Sequence, residues 1–230
     1  MKPVVRLILQ AASCRANVLL VGESGVGKAF LARRMHESSR FASGSFQTLF
    51  CMPDDKGVED LIRRLEALEA ESGTVYVKGI DLLGSVGQMR FLAYLDGRES
   101  RIRSGNSSGW VSNRLIFSSQ RDLRREALSG RYLSQLYLRA SVITIAVPPL
   151  RRRGNDIVTL AKYFVTLYSH RESKDIGGLS NDAQSFLTHQ AWEGNIHELK
   201  NAMNRAVVLA DEGQLLDSDL LEGVLTDTAV

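Results

Sequence analysis

The sequence has few of the features that mark secreted, membrane-spanning or repetitive proteins. Cysteine occurs only at Cys14 and Cys51, without C-x-x-C spacing, which predicts free thiols rather than a disulfide or a zinc site. No apolar run is long enough to cross a bilayer, and no charged-then-apolar leader begins the sequence. Internal repeats and low-complexity segments are also lacking. We therefore expect a globular protein of the cytoplasm that has no membrane partner.

The excess of positive charge is small, because 29 lysines and arginines face 26 aspartates and glutamates for a net charge of +3. A charge of this size does not by itself indicate nucleic-acid binding. The arginines are nevertheless clustered, at Arg98-Arg101-Arg103, Arg121-Arg124-Arg125 and Arg151-Arg152-Arg153. A local cluster can hold phosphate whatever the total charge is, and the alternative for each cluster is an ordinary solvated face.

One stretch near the start of the chain carries the clearest chemical pattern. An apolar run at residues 18–21 leads into Gly22-Glu23-Ser24-Gly25-Val26-Gly27-Lys28, and residues 29–36 are typical of a helix. This strand–loop–helix context with G-x-x-x-x-G-K predicts a P-loop. Its glycines let backbone N–H groups converge on phosphate oxygens, and Lys28 adds a point charge at the helix N-terminus. The next residue, where a magnesium-binding hydroxyl is expected, is Ala29, so metal-assisted hydrolysis is in question.

The rest of the chain alternates strands and helices up to Pro149. Strands are predicted at residues 46–50, 74–77, 115–117 and 142–147, and helices at 2–13, 58–71 and 85–96. The polar segment from Arg98 to Asn113 is predicted to be an exposed hairpin or loop around Trp110. Beyond Pro149 only helical periodicity remains, at 154–170, 180–189, 195–210 and 217–222. The pattern predicts an α/β domain over residues 1–150, with a parallel sheet flanked by helices, and a small helical lid over 151–230.

Separated motifs then indicate a family. Besides the P-loop sequence they are Pro148-Pro149-Leu150-Arg151-x-Arg153-x-x-Asp156-Ile157, Trp192-x-Gly194-Asn195-Ile196-x-Glu198-Leu199 and Arg205-Ala206-Val207-Val208-Leu209. Together they resemble the AAA+ central domain of bacterial enhancer-binding proteins, the NtrC-like activators of sigma-54 RNA polymerase. The resemblance implies a P-loop AAA+ fold, ATP binding, and self-association as a dimer or ring. It also implies DNA binding through a helix-turn-helix and two-component-like control through a receiver domain. Neither is found in this chain, which we expect to be a central domain alone.

The first departure from the family lies at its second acidic motif. Family members end a strand with Asp-Glu, where the Asp holds Mg²⁺ through water and the Glu polarises the attacking water. The corresponding strand here ends in Lys78-Gly79. A lysine at this place repels Mg²⁺ rather than binding it. The alternative is that Asp81, slightly displaced along the chain, takes over the acidic role.

Other departures concern the groups that sense nucleotide and transmit its state. The family Thr-Asn sensor pair aligns with Ser119-Gln120, and the lid arginine that touches the γ-phosphate aligns with His197. Of the arginine fingers, the first aligns with Leu133 and only the second is kept, as Arg139. The segment between Cys51 and Gly73 also lacks the Gly-Ala-Phe-Thr-Gly-Ala loop that contacts sigma-54 in the family.

These departures lead to a functional expectation with an alternative. The expectation is a domain that is not an enzyme, and that serves as a ligand-sensing and oligomerisation module of a transcription regulator. Its partner is then RNA polymerase without sigma-54, as in the VpsR-type biofilm regulators that respond to cyclic di-GMP, which it resembles. ATP or cyclic di-GMP is the expected ligand, with little support for Mg²⁺. The alternative is a weak or partner-assisted ATPase that drives sigma-54 polymerase activation.

A cyclic dinucleotide requires arginines for its phosphates and guanine edges, and flat groups for stacking. Two places offer them: the P-loop with Lys28, Arg40, Arg151, Arg152 and Arg153, and the segment with Arg98, Arg101, Arg103 and Trp110. Solvated faces are the alternative for the arginines, and packing at a subunit interface is the alternative for Trp110.

Overall fold

The structure, a computed structural model, describes residues 1–104 and 113–226. Its strands are β1 Val18–Val21, β2 Ser45–Phe50, β3 Gly73–Lys78, β4 Asn113–Ser119 and β5 Ile143–Ala146. The first six helices are α1 Lys2–Ala12, α2 Lys28–Glu37, α3 Asp55–Leu68, α4 Ser85–Ser104, α5 Leu123–Leu128 and α6 Ser134–Ala140. The last four are α7 Asp156–Glu172, α8 Asn181–His189, α9 Asn195–Leu209 and α10 Ser218–Thr226. None of the helices in this described part of the chain is long and apolar enough to cross a membrane.

The strands form one parallel sheet in the order β2-β3-β4-β1-β5, which confirms the predicted fold class. The inner strand β1 pairs with β4 and β5, so that Val21 lies opposite Ser119 and Ala146. Its residues are almost wholly apolar because helices cover both faces of a parallel sheet. The carboxyl ends of the strands meet at one edge, and ligands of open α/β sheets bind beyond this edge.

The chain divides into two compact units. Among the described residues, the sheet unit comprises residues 2–22, 27–104 and 113–147, and the lid unit comprises residue 1, residues 23–26 and residues 148–226. The sheet-unit core includes Leu65, Val77, Phe91, Phe117 and Leu136, all nearly or fully buried. The lid-unit core is built from α7 to α10 around residues that include Trp192, Leu199, Ala206 and Leu221. The boundary at residue 150 stays a prediction.

The exposed hairpin predicted from residue 98 is wrong for residues 98–104, which continue α4. Arg98 is 5% exposed and donates from Nη2 to the Asn113 carbonyl oxygen at 2.8 Å. Arg101 donates to both carboxylate oxygens of Glu69, at 3.0 and 2.7 Å. Long arginine side chains cover apolar surface while their charged ends find partners, so polar composition did not mean a loop here. Residues 105–112, with Trp110, lie outside the described residues.

The segment between β2 and β3 contains a single helix, α3, which begins three residues before its predicted start. The Asp54 carboxylate caps it by accepting a hydrogen bond from the Gly57 N–H at 3.2 Å. Its buried face carries Val58, Leu61 and Leu65 against the sheet-unit core. The lack of the family's sigma-54-contacting loop between Cys51 and Gly73 stays a prediction.

Candidate nucleotide-binding site

The predicted phosphate-binding residues form the loop between β1 and α2. Gly25 and Gly27 have φ angles of +74° and +95°, in the left-handed region that favours glycine. Gly22 donates its N–H to the Ser119 carbonyl at 3.2 Å, which joins the loop to β4. Lys28 begins α2, is 8% exposed, and donates from Nζ to the Gly22 carbonyl at 2.5 Å. A buried lysine at a helix N-terminus is suited to hold phosphate oxygens.

The Glu23 side chain is held within the lid unit. Arg151 donates to its two carboxylate oxygens at 2.8 and 2.5 Å, and Asn195 Nδ2 donates to Oε2 at 3.1 Å. The Arg151 and Asn195 hydrogen bonds lower the pKa of Glu23 to about 2. The carboxylate therefore stays charged throughout the neutral range, and Arg151 is already paired within the chain.

This ion pair predicts a specific loss of stability in acid. Because the folded-state pKa of Glu23 lies below its ordinary value of 4.5, its contribution is present above pH 4.5 and is lost as the pH falls toward about 2. We expect the free energy of unfolding to fall less steeply over this range in Glu23→Gln than in the wild type. The effect should be small, because the Arg151 and Glu23 side chains are 40% and 42% exposed.

Urea denaturation at a series of pH values measures the slopes. The exposed Glu222, on α10 of the same unit, provides the matched control Glu222→Gln, which should keep the wild-type slope. Equal slopes for Glu23→Gln and the wild type would contradict the assignment.

The carboxyl end of β3 carries a cation, Lys78, where the family resemblance implies a metal-holding aspartate. Side chains alternate along a strand, so Lys78 lies on the same face of the sheet as Thr74, whose hydroxyl is 3.0 Å from His36 Nδ1 on α2. Lys78 is exposed, with its ammonium 5.5 Å from the Phe50 ring centre. Ala29 offers no side-chain oxygen. The described residues also contain no group of three or more His, Cys, Asp or Glu placed to hold a metal. These residues do not fit Mg²⁺.

Asp81 lies in a short 3-10 helix just after β3 and is 3% exposed. Its neighbours are Arg121, whose Nε is 3.7 Å from Oδ2, and two buried groups of the sheet unit, Cys51 and Tyr132. Burial and then the Asp81 charge raise the pKa of the Cys51 thiol to about 12. None of these contacts involves the P-loop lysine Lys28, and the takeover of the acidic role by Asp81 stays a prediction.

The remaining sensor-like and finger-like residues fall in separate places. Gln120 is exposed directly after β4, and His197 is exposed in the first turn of α9. Leu133 is half-buried and its N–H donates to Gln88 Oε1 at 2.7 Å. Arg139, at the end of α6, is paired with two carboxylates of α4.

The arginines predicted to hold a cyclic dinucleotide mostly have partners inside the chain. Besides Arg98, Arg101 and Arg151, Arg103 pairs with the Glu99 carboxylate, and Arg153 is buried and donates to the Pro148 carbonyl. Arg152 is exposed. The role of these arginines in holding a cyclic dinucleotide stays a prediction.

Arg40 is not placed beside the P-loop, as the sequence-based hypothesis requires. It is exposed, follows the C-terminal end of α2, and has its guanidinium 5.2 Å from the Phe41 ring centre. A helix rises about 1.5 Å per residue, so the length of α2 separates Arg40 from Lys28 at its start. A role of Arg40 in holding a cyclic dinucleotide stays a prediction.

Asn195 is the site residue whose role the sequence analysis missed. It appeared there only as a letter of the Gly194-Asn195-Ile196 motif. In the structure it is fully buried, has a φ of +56°, and contacts Glu23 and Ser24. The signal available in the sequence was an asparagine directly after a glycine before a predicted helix, because asparagine is enriched in the left-handed conformation.

A parallel sheet whose first strand leads through a P-loop into a helix, with a helical lid unit after the last strand, defines an AAA+ nucleotide-binding domain. Comparison with known families agrees. The sigma-54 interaction domain model matches residues 2–150, and the AAA+ ATPase lid domain model matches residues 151–229. The chain belongs to the sigma-54 interaction domain family.

Curated relatives of the chain are transcription regulators and nitrogen fixation proteins. Transcriptional regulatory protein ZraR of Klebsiella oxytoca is 36% identical over 245 residues, which cover 100% of this chain and 55% of ZraR. Nitrogen fixation protein AnfA of Azotobacter vinelandii is 32% identical over 92% of this chain and 43% of its own length. The chain thus spans about half the length of the curated relatives it matches.

Among solved structures, NtrX from Brucella abortus in complex with ATP superimposes with a TM-score of 0.79 at 23% identity. The match covers 100% of this chain and 56% of NtrX. At this identity the likeness shows the fold.

The expectation that the chain is not an enzyme is wrong. It rested on Ala29, Lys78, Gly79 and Leu133, but the family to which the chain belongs is that of sigma-54 interaction domains with an AAA+ ATPase lid. The residue differences are therefore departures within an ATPase family.

Proposed function

We propose that this domain binds ATP at the P-loop and hydrolyses it slowly, with help from a neighbouring subunit. In this proposal the domain is the AAA+ module of a regulator that acts on sigma-54 RNA polymerase. The observation that carries the proposal is the complete loop from Gly22 to Lys28 in a chain that belongs to this family. Residues 1–150 form the catalytic part and residues 151–230 the lid.

Within the domain, the proposed chemistry is positioning and charge. The loop N–H groups and the α2 N-terminus bind phosphate oxygens, and Lys28 neutralises their charge. Gln120 presents an exposed amide at the carboxyl end of β4. Lys78-Gly79 stands at the end of β3 in place of the acidic pair that would orient an attacking water. Each lost preorganised group lowers turnover by orders of magnitude, which is why we propose slow hydrolysis.

Arg139 is the residue proposed to act on a neighbour's nucleotide. Its Nε lies 2.7 Å from Asp96 Oδ1 and its Nη1 2.5 Å from Glu99 Oε2, both on α4. The side chain is 44% exposed. These two carboxylates hold the guanidinium at the surface, where a second copy of the domain can reach it. An arginine supplied to a phosphoryl group in trans stabilises the charge of the transition state.

The partners of the whole regulator follow as proposals. The chain belongs to a sigma-54 interaction domain family, which favours sigma-54 polymerase over the sequence-based expectation of a sigma-54-independent polymerase. Self-association and DNA binding through a further domain complete the proposal. Cyclic di-GMP stays a prediction. Transcription from a sigma-54 promoter with the full-length regulator measures the polymerase partner, and no activation would contradict it.

A subunit-mixing experiment tests shared hydrolysis. Lys28→Ala removes the phosphate-binding cation and should weaken ATP binding by about one to two decades. Arg139→Ala keeps the P-loop but removes the group supplied to the neighbour. We expect each variant alone to have lower turnover than the wild type. The mixture should exceed the sum of the two, because Lys28→Ala subunits supply Arg139 to the intact P-loops of the others.

Phosphate release at increasing protein concentration provides the measurement. Arg124→Ala, at an exposed arginine of α5, is the matched control and should keep wild-type turnover. A mixture that never exceeds the sum contradicts the role of Arg139 in trans. ATP affinity unchanged in Lys28→Ala would contradict the P-loop site itself.

A further inference from the structure

The lid unit holds three consecutive carbonyl groups of the phosphate-binding loop. Each accepts a hydrogen bond from a different residue of that unit. The contacts are Ser24 O with Asn195 Nδ2 at 2.9 Å, Gly25 O with Ile196 N at 3.1 Å, and Val26 O with Arg153 Nη2 at 2.7 Å. A run of bonded carbonyls in a glycine-rich turn restricts its backbone far more than one contact does.

Both polar side-chain atoms of Asn195 make hydrogen bonds within the lid unit. Nδ2 also donates to Glu23 Oε2 at 3.1 Å and to the Glu193 carbonyl at 3.3 Å, and Oδ1 accepts from the Leu150 N–H at 2.8 Å. The residue is fully buried. A buried amide with all its hydrogen-bonding groups used has one orientation, so it can fix the position of what it contacts.

Arg153 provides the second buried anchor. It is 9% exposed, and it donates to the Pro148 carbonyl from Nε at 3.0 Å and from Nη2 at 2.8 Å. The same Nη2 donates to Val26 O. Hydrogen bonds from a charged donor are roughly twice as strong as neutral ones. The guanidinium therefore links the strand-to-lid connection at Pro148 rigidly to the loop.

The geometry of the peptide unit turns these contacts into a phosphate-binding device. A trans peptide is planar, and its C=O and N–H point in opposite directions. Carbonyls drawn toward Asn195, Ile196 and Arg153 therefore leave the N–H groups of the same peptides facing the other way. Successive N–H groups that face one side of a turn form an anion-binding concavity.

We propose that Asn195 and Arg153 are positioning residues that hold the phosphate-binding loop preorganised for the polyphosphate of ATP. The proposal rests on the proposed ATP binding. Neither residue touches the nucleotide; each acts through the loop carbonyls. Preorganisation raises affinity because the loop does not have to be ordered when the ligand binds. Its loss should therefore weaken the binding of the ATP phosphates and leave the binding of the adenosine part unchanged.

Nucleotide affinities of variants test this. Asn195→Gly removes the side chain while glycine still accepts the φ of +56°, and Arg153→Lys keeps the charge but removes the second donor direction. We expect each variant to bind ATP at least about tenfold more weakly than the wild type, which corresponds to the loss of one charged or buried hydrogen bond. The affinity for adenosine should stay at the wild-type value. Asn201→Ala, at an exposed position on the same helix, is the matched control and should change neither affinity.

A merely structural role gives a different result, namely a lower unfolding temperature with an unchanged ratio of ATP to adenosine affinity. That result would overturn the proposal.

A nucleotide-free measurement separates this proposal from the proposed function. The ¹⁵N order parameters of the Gly25 and Gly27 amides should fall from about 0.85 in the wild type to below about 0.6 in Asn195→Gly. Unchanged order parameters would refute the positioning role even in a protein that binds ATP. Wild-type protein that fails to bind ATP would refute the proposed function alone.

Discussion

A variant with Ala29→Thr, Lys78→Asp and Gly79→Glu is expected to turn over ATP at least about 100-fold faster than the wild type in the presence of Mg²⁺. The three changes provide the hydroxyl after the P-loop lysine and the acidic pair at the end of β3. Each is at an accessible place. Ala29 and Lys78 are exposed, and a Cβ at Gly79 meets only the flexible end of Leu82, at 3.0 Å.

The physical reason is the sign of the charge at the strand end. A lysine ammonium at this place repels a divalent cation, whereas a carboxylate attracts it and a hydroxyl oxygen offers a hard ligand. Gly79 has a φ of +82°, so the glutamate is strained there by about 1–2 kcal/mol. A gain of several kcal/mol in transition-state stabilisation exceeds this strain, so the net expectation is a faster enzyme.

Steady-state phosphate release with Mg²⁺ and with a chelator measures the effect. Lys56→Asp makes the same charge change at an exposed lysine of α3 and should leave turnover at the wild-type value. If the triple variant is no faster than the wild type, the residue at the end of β3 does not limit the rate. A wild-type protein that already turns over about once per second would remove the premise of slow hydrolysis.

Gly25→Ala is expected to abolish ATP binding at micromolar concentrations and to lower the stability of the lid unit. An added Cβ would lie 2.2 Å from the Gly194 carbonyl oxygen and 3.3 Å from the Asn195 Cβ. The first distance is far inside van der Waals contact, and the neighbour is backbone, which cannot swing away. The residue also has a φ of +74°, which costs alanine about 1–2 kcal/mol. The collision is relieved only if the loop moves away from Gly194, and the loop carbonyls then lose their hydrogen-bond donors.

Gly213 offers a matched control in the same unit. Its φ is +76°, but nothing lies within 4 Å of an added Cβ. Gly213→Ala thus carries the same backbone strain without the collision, and should keep ATP affinity while losing a little stability. Calorimetry with ATP and thermal unfolding of both variants give the comparison. Equal ATP affinities for the two variants would show that close approach of the loop to Gly194 has no role in binding.

Helix α5 and the C-terminal part of α4 were not predicted from the sequence, each for a different physical reason. α5 has a cap at its start, since the Asp122 carboxylate accepts from the N–H groups of Arg124 and Arg125 at 3.1 and 3.3 Å. It spans only six residues, too few for a helical period to be visible. The extension of α4 was missed for another reason. Its arginines look like surface residues until Glu69 and the Asn113 carbonyl, distant in sequence, are brought beside them.

The sequence by itself determined the parallel sheet, the P-loop between β1 and α2, and the family. Each depends on residues close together in the chain, where strand alternation, helical period and glycine spacing are set by local backbone geometry. The tertiary structure alone decided which arginines are already paired and where Arg40 and Asp81 lie. It alone showed that Asn195 and Arg153 hold loop carbonyls more than a hundred residues earlier in the chain. Partners at such separations are chosen by the packing of whole elements, and no local pattern in the sequence encodes that choice.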